Sequence, residues 1–237
     1  MDLQTKYLEL LKGCLTRLLF LEKGASVEDR IAGTDWPQDA ETMIGVKRLA
    51  NIKYCIEQIV KDHIQGDVIE CGVWRGGACI WMKAILDLYS DKRKVFVADS
   101  FNGFPEPKFN WDKGAEFLDA PELKVSRKEV EENFRKYNLL DDCVEFVEGF
   151  FGDTLPKLNN QFSLIRADGD LFESTIDILS NLYPKLAVGG YIIIDDYYSM
   201  KCCSEAVNQY RTMFGITEQL RTIDPIAVYW RKEKERD

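Results

Sequence analysis

The chain has 237 residues, 46% of them hydrophobic and 30% charged, with a formal net charge of −9. This length suits one large α/β domain, and the acidic balance argues against a nucleic-acid groove or an anionic membrane surface as partner. Seven cysteines without a C-x-x-C pair read as reduced thiols in a cytoplasm, and the single histidine, His63, argues against a histidine zinc site or a Ser-His-Asp triad.

Residues 2–23 repeat Leu3, Tyr7, Leu11, Cys14, Leu18 and Leu21 at helical spacing, until Gly24 ends the pattern. Lys6, Glu9, Lys12 and Arg17 interrupt the apolar run, so it reads as neither a signal peptide nor a membrane span. Two readings of the stripe stand: packing on this chain's own core, or a homodimer interface. Residues 24–43 read as loop, and Trp36 within it as a lid or pocket wall, or as an anchor for the loop. A second helix runs from about Ile44 to Ile64, with His63 on the surface near its end.

Asp67 to Cys71 reads as a buried strand that leaves through a turn with Gly72, Gly76 and Gly77 into a helix from Ala78 to Tyr89. Such a turn lets a cofactor lie against bare backbone. Its spacing, Glu-x-Gly-x-x-x-Gly-Gly, is not that of a pyrophosphate site, and Glu70 at its entrance would attract a sulfonium. That points to S-adenosyl-L-methionine rather than NAD. Lys94 to Ala98 is a second strand, and Asp99 at its end suits ribose hydroxyls. Residues 105–125 are irregular and read as a substrate-facing flap.

Ser126-Arg-Lys-Glu129 is a capping box opening a helix to about Tyr137. Cys143 to Val147 is strand three, followed by Phe150 and Phe151, which suit either an adenine ring or the core. Strand four, Phe162 to Ala167, stops at Asp168-Gly-Asp170, where Asp170 reads as the cap of the next helix, Glu173 to Leu182. Strand five, Tyr191 to Ile194, stops at Asp195-Asp196. A helix over Ser204–Phe214 precedes a closing antiparallel pair, Ile216–Arg221 with Ile226–Arg231.

Alternating strands and helices imply a doubly wound, mostly parallel sheet in a single domain, residues 1–237, with N-terminal helices and lid over 1–65 and the Rossmann-like core over 66–237. Ligands of such sheets bind outside the carboxyl ends of the strands. If strands four and five are neighbours, Asp168, Asp195 and Asp196 converge there. Hard oxygen donors without Cys or His favour Mg²⁺. A cation beside a substrate hydroxyl would lower its pKa, and a carboxylate within reach would take the proton.

These motifs together resemble the macrocin O-methyltransferase family, metal-dependent sugar O-methyltransferases of macrolide and aminocoumarin pathways. The resemblance rests on Asp-Trp-Pro37 with Glu-Thr-Met43, Glu-Cys-Gly-Val-Trp-Arg-Gly-Gly77, Ala-Asp-Ser-Phe101, Asp-Thr-Leu-Pro156, Asp-Gly-Asp170 with Glu-Ser-Thr175, Gly-Gly-Tyr191 with Asp-Asp-Tyr197, and Val-Tyr-Trp-Arg231. It implies a class I methyltransferase fold, a sugar or glycoside acceptor, and pairing through the N-terminal parts. The cofactor contacts it implies are Thr42, Met43, Glu70, Cys71, Gly72, Val73, Trp74, Asp99, Ser100, Phe101, Asn102, Gly103, Phe150 and Phe151. The metal ligands it implies are Asp168, Asp195 and Asp196, with Asp168 also a candidate base. Some members carry a histidine base in the flap where this chain has Phe117. If the base is not Asp168, the flap offers Asp112, Glu116, Asp119 and Glu122. Two rival readings are a non-catalytic cofactor-binding scaffold and an NAD-dependent short-chain dehydrogenase, the latter from Tyr197-Tyr-Ser-Met-Lys201.

Overall fold

The computed structural model describes residues 1–113 and 120–235. The flap residues Glu116, Phe117 and Asp119 lie outside the described residues.

Five parallel strands form the centre of the sheet: β1 Asp67–Cys71, β2 Val95–Asp99, β3 Val144–Glu148, β4 Phe162–Ala167 and β5 Leu186–Ile194. Two antiparallel strands, β6 Arg221–Thr222 and β7 Val228–Arg231, extend it to the order β3-β2-β1-β4-β5-β7-β6. Alternate residues of the central strands feed two cores, which is why these strands read as nearly continuous apolar runs. Val68, Val95 and Leu164 face helices α1 Leu3–Leu15, α3 Val46–Lys61, α4 Gly77–Leu88 and α5 Arg127–Lys136. Ile69, Phe96 and Ile165 face the other layer, with α6 Phe151–Thr154, α7 Phe172–Leu182 and α8 Lys201–Met213. Among the described residues no helix is long and apolar enough to cross a membrane.

Most elements match their sequence patterns within a few residues, and the differences have local causes. α1 stops at Leu15 rather than running to residue 23. Arg17 takes a left-handed conformation, and the Leu15 carbonyl, freed at the helix end, accepts from the amides of Glu41 and Thr42 at 3.1 and 3.2 Å. The end of α1 thus holds the loop that leads into the glycine turn. The apolar stripe divides: Leu8, Leu11 and Leu15 pack inward, while Leu3, Leu10, Leu19 and Phe20 are exposed. A short helix, α2 Val27–Ala32, lies within the segment expected to be loop, capped by Ser26 and closed by a left-handed Gly33. β5 begins five residues earlier than expected, through an irregularity between its Leu186 and Tyr191 pairings. Of the expected segment Ile216–Arg221, only Arg221 joins a strand.

One ladder fixes the strand ends. The amide of Gly149 donates to Asp99 O, Gly72 to Ala98 O, Asp168 to Cys71 O and Asp195 to Ala167 O, each at 2.9 Å. Because Ala167 pairs with Ile194, Asp168 and Asp195 leave the sheet side by side. Gly72 makes this approach possible: at φ +86° a Cβ would sit 1.8 Å from the Asp168 carbonyl oxygen. Gly24 has a similar φ of +94° but open space around it. Gly24→Ala is expected to lose roughly 1–2 kcal/mol from backbone strain alone. Gly72→Ala must also push two strand ends apart and should lose clearly more, read as the shift in urea midpoint.

Candidate active site

A cavity of about 820 Å³ opens at the carboxyl ends of the strands. Thr42, Met43, Glu70, Gly72, Val73 and Trp74 line one side. Asp99, Ser100, Gly103, Phe150 and Phe151 line it as well, and Asp168, Asp195 and Asp196 complete it, with Asp168 directly beside Gly72. Phe151 also packs on the α7-side core, while Phe150 stays exposed. Three residues expected as contacts, Cys71, Phe101 and Asn102, are not among those lining the cavity. The Cys71 side chain is buried in the α7-side core, Phe101 packs 6.1 Å from the Phe146 ring, and Asn102 points to solvent.

Two carboxylates differ from their expected use. Asp99 accepts from the Val73 amide and from the Phe101 amide, both at 2.8 Å, so it first ties the glycine turn to its own turn. Burial raises its pKa against the pull of those amides. Glu70 is not a free charge at the entrance. Arg166 Nη1 donates to it at 2.5 Å and Cys79 Sγ at 2.7 Å, and burial pushes it up to about 7 despite the arginine.

β4 and β5 deliver the acidic cluster. One carboxylate oxygen from each of Asp168, Asp195 and Asp196 lies within 4.8 Å of the others. At that distance two charges repel by about 3.5 kcal/mol at an effective dielectric near 20. Two buried arginines, which the motif reading missed, offset part of this. Arg166 contacts Asp168 Oδ2 at 2.6 Å and Asp195 Oδ1 at 2.5 Å. Arg48, from α3, contacts Asp195 Oδ2 at 2.6 Å and Asp224 Oδ2 at 3.1 Å, and donates to Gly33 O at 2.8 Å. Against its burial, these arginines hold Asp195 below the ordinary carboxylate range. Burial and the Asp195 charge raise Asp168. Burial, with Asp170 and Asp168 beside it, raises Asp196 well above that range. The signal available in sequence was an arginine inside a strand otherwise apolar, Phe-Ser-Leu-Ile-Arg-Ala167.

The donor set suits a hard divalent cation. Six carboxyl groups, Glu70, Asp168, Asp170, Asp195, Asp196 and Asp224, surround two guanidiniums. Asp196 Oδ2 is buried without a hydrogen-bond partner, a state that is costly unless a proton or cation answers it.

Residues 20–232 match the family model of macrocin-O-methyltransferase. The chain belongs to this family of O-methyltransferases. It is 48% identical over 213 residues to the demethyldecarbamoylnovobiocin O-methyltransferase of Streptomyces niveus, covering 87% of this chain and 81% of that protein. It is 41% identical to the mycinamicin III 3''-O-methyltransferase of Micromonospora griseorubida, covering 95% and 96%. The solved structure of the O-methyltransferase NovP superposes with a TM-score of 0.94 at 44% identity, covering 98% of this chain and all of that one. The sheet is accordingly that of class I methyltransferases.

Within this macrocin-O-methyltransferase family chain, Tyr197 to Ser199 lie in a turn, Met200 is extended and α8 begins only at Lys201, so the tyrosine of the dehydrogenase motif is not on a helix. Tyr197 Oη donates instead to Asn208 at 2.9 Å. The helix cap assigned to Asp170 is also corrected. Asp170 sits at φ +54°, and burial together with Asp168 pushes its carboxyl well up. The cap of α7 comes from the flap: Asp112 Oδ1 accepts from Phe172 N at 2.6 Å and Oδ2 from Glu173 N at 3.3 Å. Asp112 is therefore a cap rather than a candidate base. Glu122 is exposed, and its carbonyl accepts from the Trp74 indole at 2.8 Å. Asp112→Ala should lose about 1–2 kcal/mol, at the upper end for a cap, and should speed tryptic cleavage at Lys108 or Lys113. Asp112→Asn, which keeps an acceptor, should fall between the two.

Proposed function

We propose that this chain transfers a methyl group from S-adenosyl-L-methionine to a hydroxyl of a sugar or glycosylated small molecule, assisted by Mg²⁺ held at Asp168, Asp195 and Asp196. The observation that carries this reading is one cavity lined both by the glycine turn and by three convergent carboxylates that lie against it, in a chain of this family. A relative from Streptomyces olivaceus, 42% identical over 245 residues, is named for 4'-O-methylation of a dimethoxyrhamnosyl tetracenomycin, which supports a glycoside acceptor here.

The residues divide the work by position. Gly72 and Val73 present backbone to the cofactor, Phe150 and Phe151 offer faces to its adenine, and Asp99 keeps the turn between them in shape. S-adenosyl-L-methionine supplies the methyl group as a sulfonium, which the surplus negative charge of the cavity favours. Mg²⁺ supplies Lewis-acid polarisation of the acceptor hydroxyl. Asp168 keeps one oxygen on Arg166, leaving the other to accept the hydroxyl proton. Arg48 and Arg166 hold Asp195 ionised, as a ligand must be.

Asp195→Asn and Asp196→Asn should each lower methyl transfer, with partial rescue by excess Mg²⁺. Asp168→Asn should be worse and resist rescue, because loss of a general base typically costs a factor of about 10² to 10⁴. EDTA should stop turnover without unfolding the chain. Full activity in EDTA would remove the metal from the mechanism, and cofactor binding without transfer to any glycoside tried would favour a scaffold.

Cation uptake should also release protons. Asp168 and Asp196 have raised pKa values in the metal-free chain, whereas ligation needs them ionised. Affinity for Mg²⁺ should therefore rise with pH. Titration calorimetry in two buffers of different ionisation enthalpy should give different apparent heats, and identical heats would contradict the reading.

A further inference from the structure

A second, smaller cavity of about 180 Å³ adjoins the main one. Trp36, Met43, Trp74 and Leu123 line both, so the two spaces share a wall. The smaller one lies between three segments: Trp36 and Pro37 of the lid loop, Trp74 of the glycine turn, and Leu123 of the flap. Its walls are mainly apolar, with Gln38, Arg75 and Glu122 as the polar residues among them. The Trp74 indole N–H is spent on the Glu122 carbonyl at 2.8 Å. Arg75, whose guanidinium lies 4.3 Å from the Trp74 ring centroid, donates Nη1 to the carbonyls of Gln38 at 2.6 Å and Ala40 at 3.1 Å. The Trp36 side chain, by contrast, is half exposed at the rim.

These features decide among the parts of the two substrates. The aminocarboxylate end of the cofactor needs a cationic partner for its carboxylate, and Arg75, the cation lining this alcove, is committed to the lid carbonyls and to Glu129, while Glu122 brings a like charge. Adenine has Phe150 and Phe151 on another wall. The sugar hydroxyl must reach Asp168, which does not line the alcove. What remains is the part of the acceptor beyond its sugar. A dry cavity of about 150 Å³ takes one benzene ring, so the alcove has room for about one aromatic ring. We propose that it is an aglycone subsite, selecting acceptors whose sugar carries an aromatic or comparably flat apolar ring. This rests on the glycoside methyltransfer reading and deepens it. The subsite would form only with lid loop and flap both in place, because each contributes a wall.

The test uses the full chain and two neutral probes, anisole and its saturated counterpart methoxycyclohexane, neither of which can be methylated at a hydroxyl. Affinities come from ligand-observed NMR titration with and without saturating S-adenosylhomocysteine, whose own binding is measured by calorimetry. Anisole should bind in both states and more tightly than methoxycyclohexane. Trp36→Ala should weaken it by about tenfold or more, through loss of the aromatic wall. Leu123→Asp, a change at a partly exposed position, should do the same by making that wall polar. Both variants should keep the parent affinity for S-adenosylhomocysteine. The proposal is overturned if S-adenosylhomocysteine displaces anisole, if either variant binds anisole as the parent does, or if the parent binds none. A parent that binds S-adenosylhomocysteine but not anisole loses only the subsite. A parent that does not bind S-adenosylhomocysteine loses the methyltransfer reading as well.

Discussion

The Arg166 guanidinium is the interaction on which the rest of the site depends. It stands on β4, in register with Glu70 of β1 on one side and Ile193 of β5 on the other. From there it reaches Glu70, Asp168 and Asp195 at once, with 1% of its surface exposed. A planar fork of donors suits this role better than a lysine point charge. Without it, three closely placed carboxylates on adjacent strands, two of them buried, would repel one another or take up protons. A buried cation among carboxylates adds little net stability, because desolvation offsets the attraction. Its contribution is to let an acidic site exist at the centre of the sheet.

Arg48 extends that arrangement into the N-terminal segment. One side chain joins the lid-side Gly33 carbonyl, Asp195 and the Asp224 turn before β7. Asp224 in turn accepts from the Ile226 and Ala227 amides at 2.9 Å. The N-terminal helices and the C-terminal strand pair are thereby fastened to the same carboxylate. The loops are held in a similar way by groups that already serve another element. Trp74 and Arg75 of the glycine turn grip flap and lid loop, and Asp112 of the flap caps α7.

The site is consequently a meeting of segments far apart in sequence, each satisfying another's open backbone or charge. The α1 terminal carbonyl is met by the amides of Glu41 and Thr42, and the first amide of α4 by the Glu41 carbonyl at 2.9 Å. Such reciprocal satisfaction leaves few buried polar groups open among the described residues. The unpartnered Asp196 Oδ2 is one of them, and it lies where the three carboxylates converge.

Much of this was legible in the chain itself. The period-2 and period-3.6 patterns gave the strands and most helices, because burial on two faces writes itself into local composition. The glycine turn and the aspartates at strand ends were legible for the same reason: ligands of parallel sheets collect at one edge. The glycine turn also pointed to the cofactor, and the family resemblance added the acceptor class. Tertiary structure alone decided how the charges are shared. Nothing local marks Arg48 or Arg166 as partners of Asp195, since their pairing depends on strand order and on where α3 crosses the sheet. Nor could spacing tell that Asp112, 60 residues before Phe172, caps α7 while Asp170, two residues before it, does not. A cap is chosen by which carboxylate can reach the free amides, and here the chain beyond β4 turns Asp170 away through a left-handed conformation and the flap brings Asp112 in.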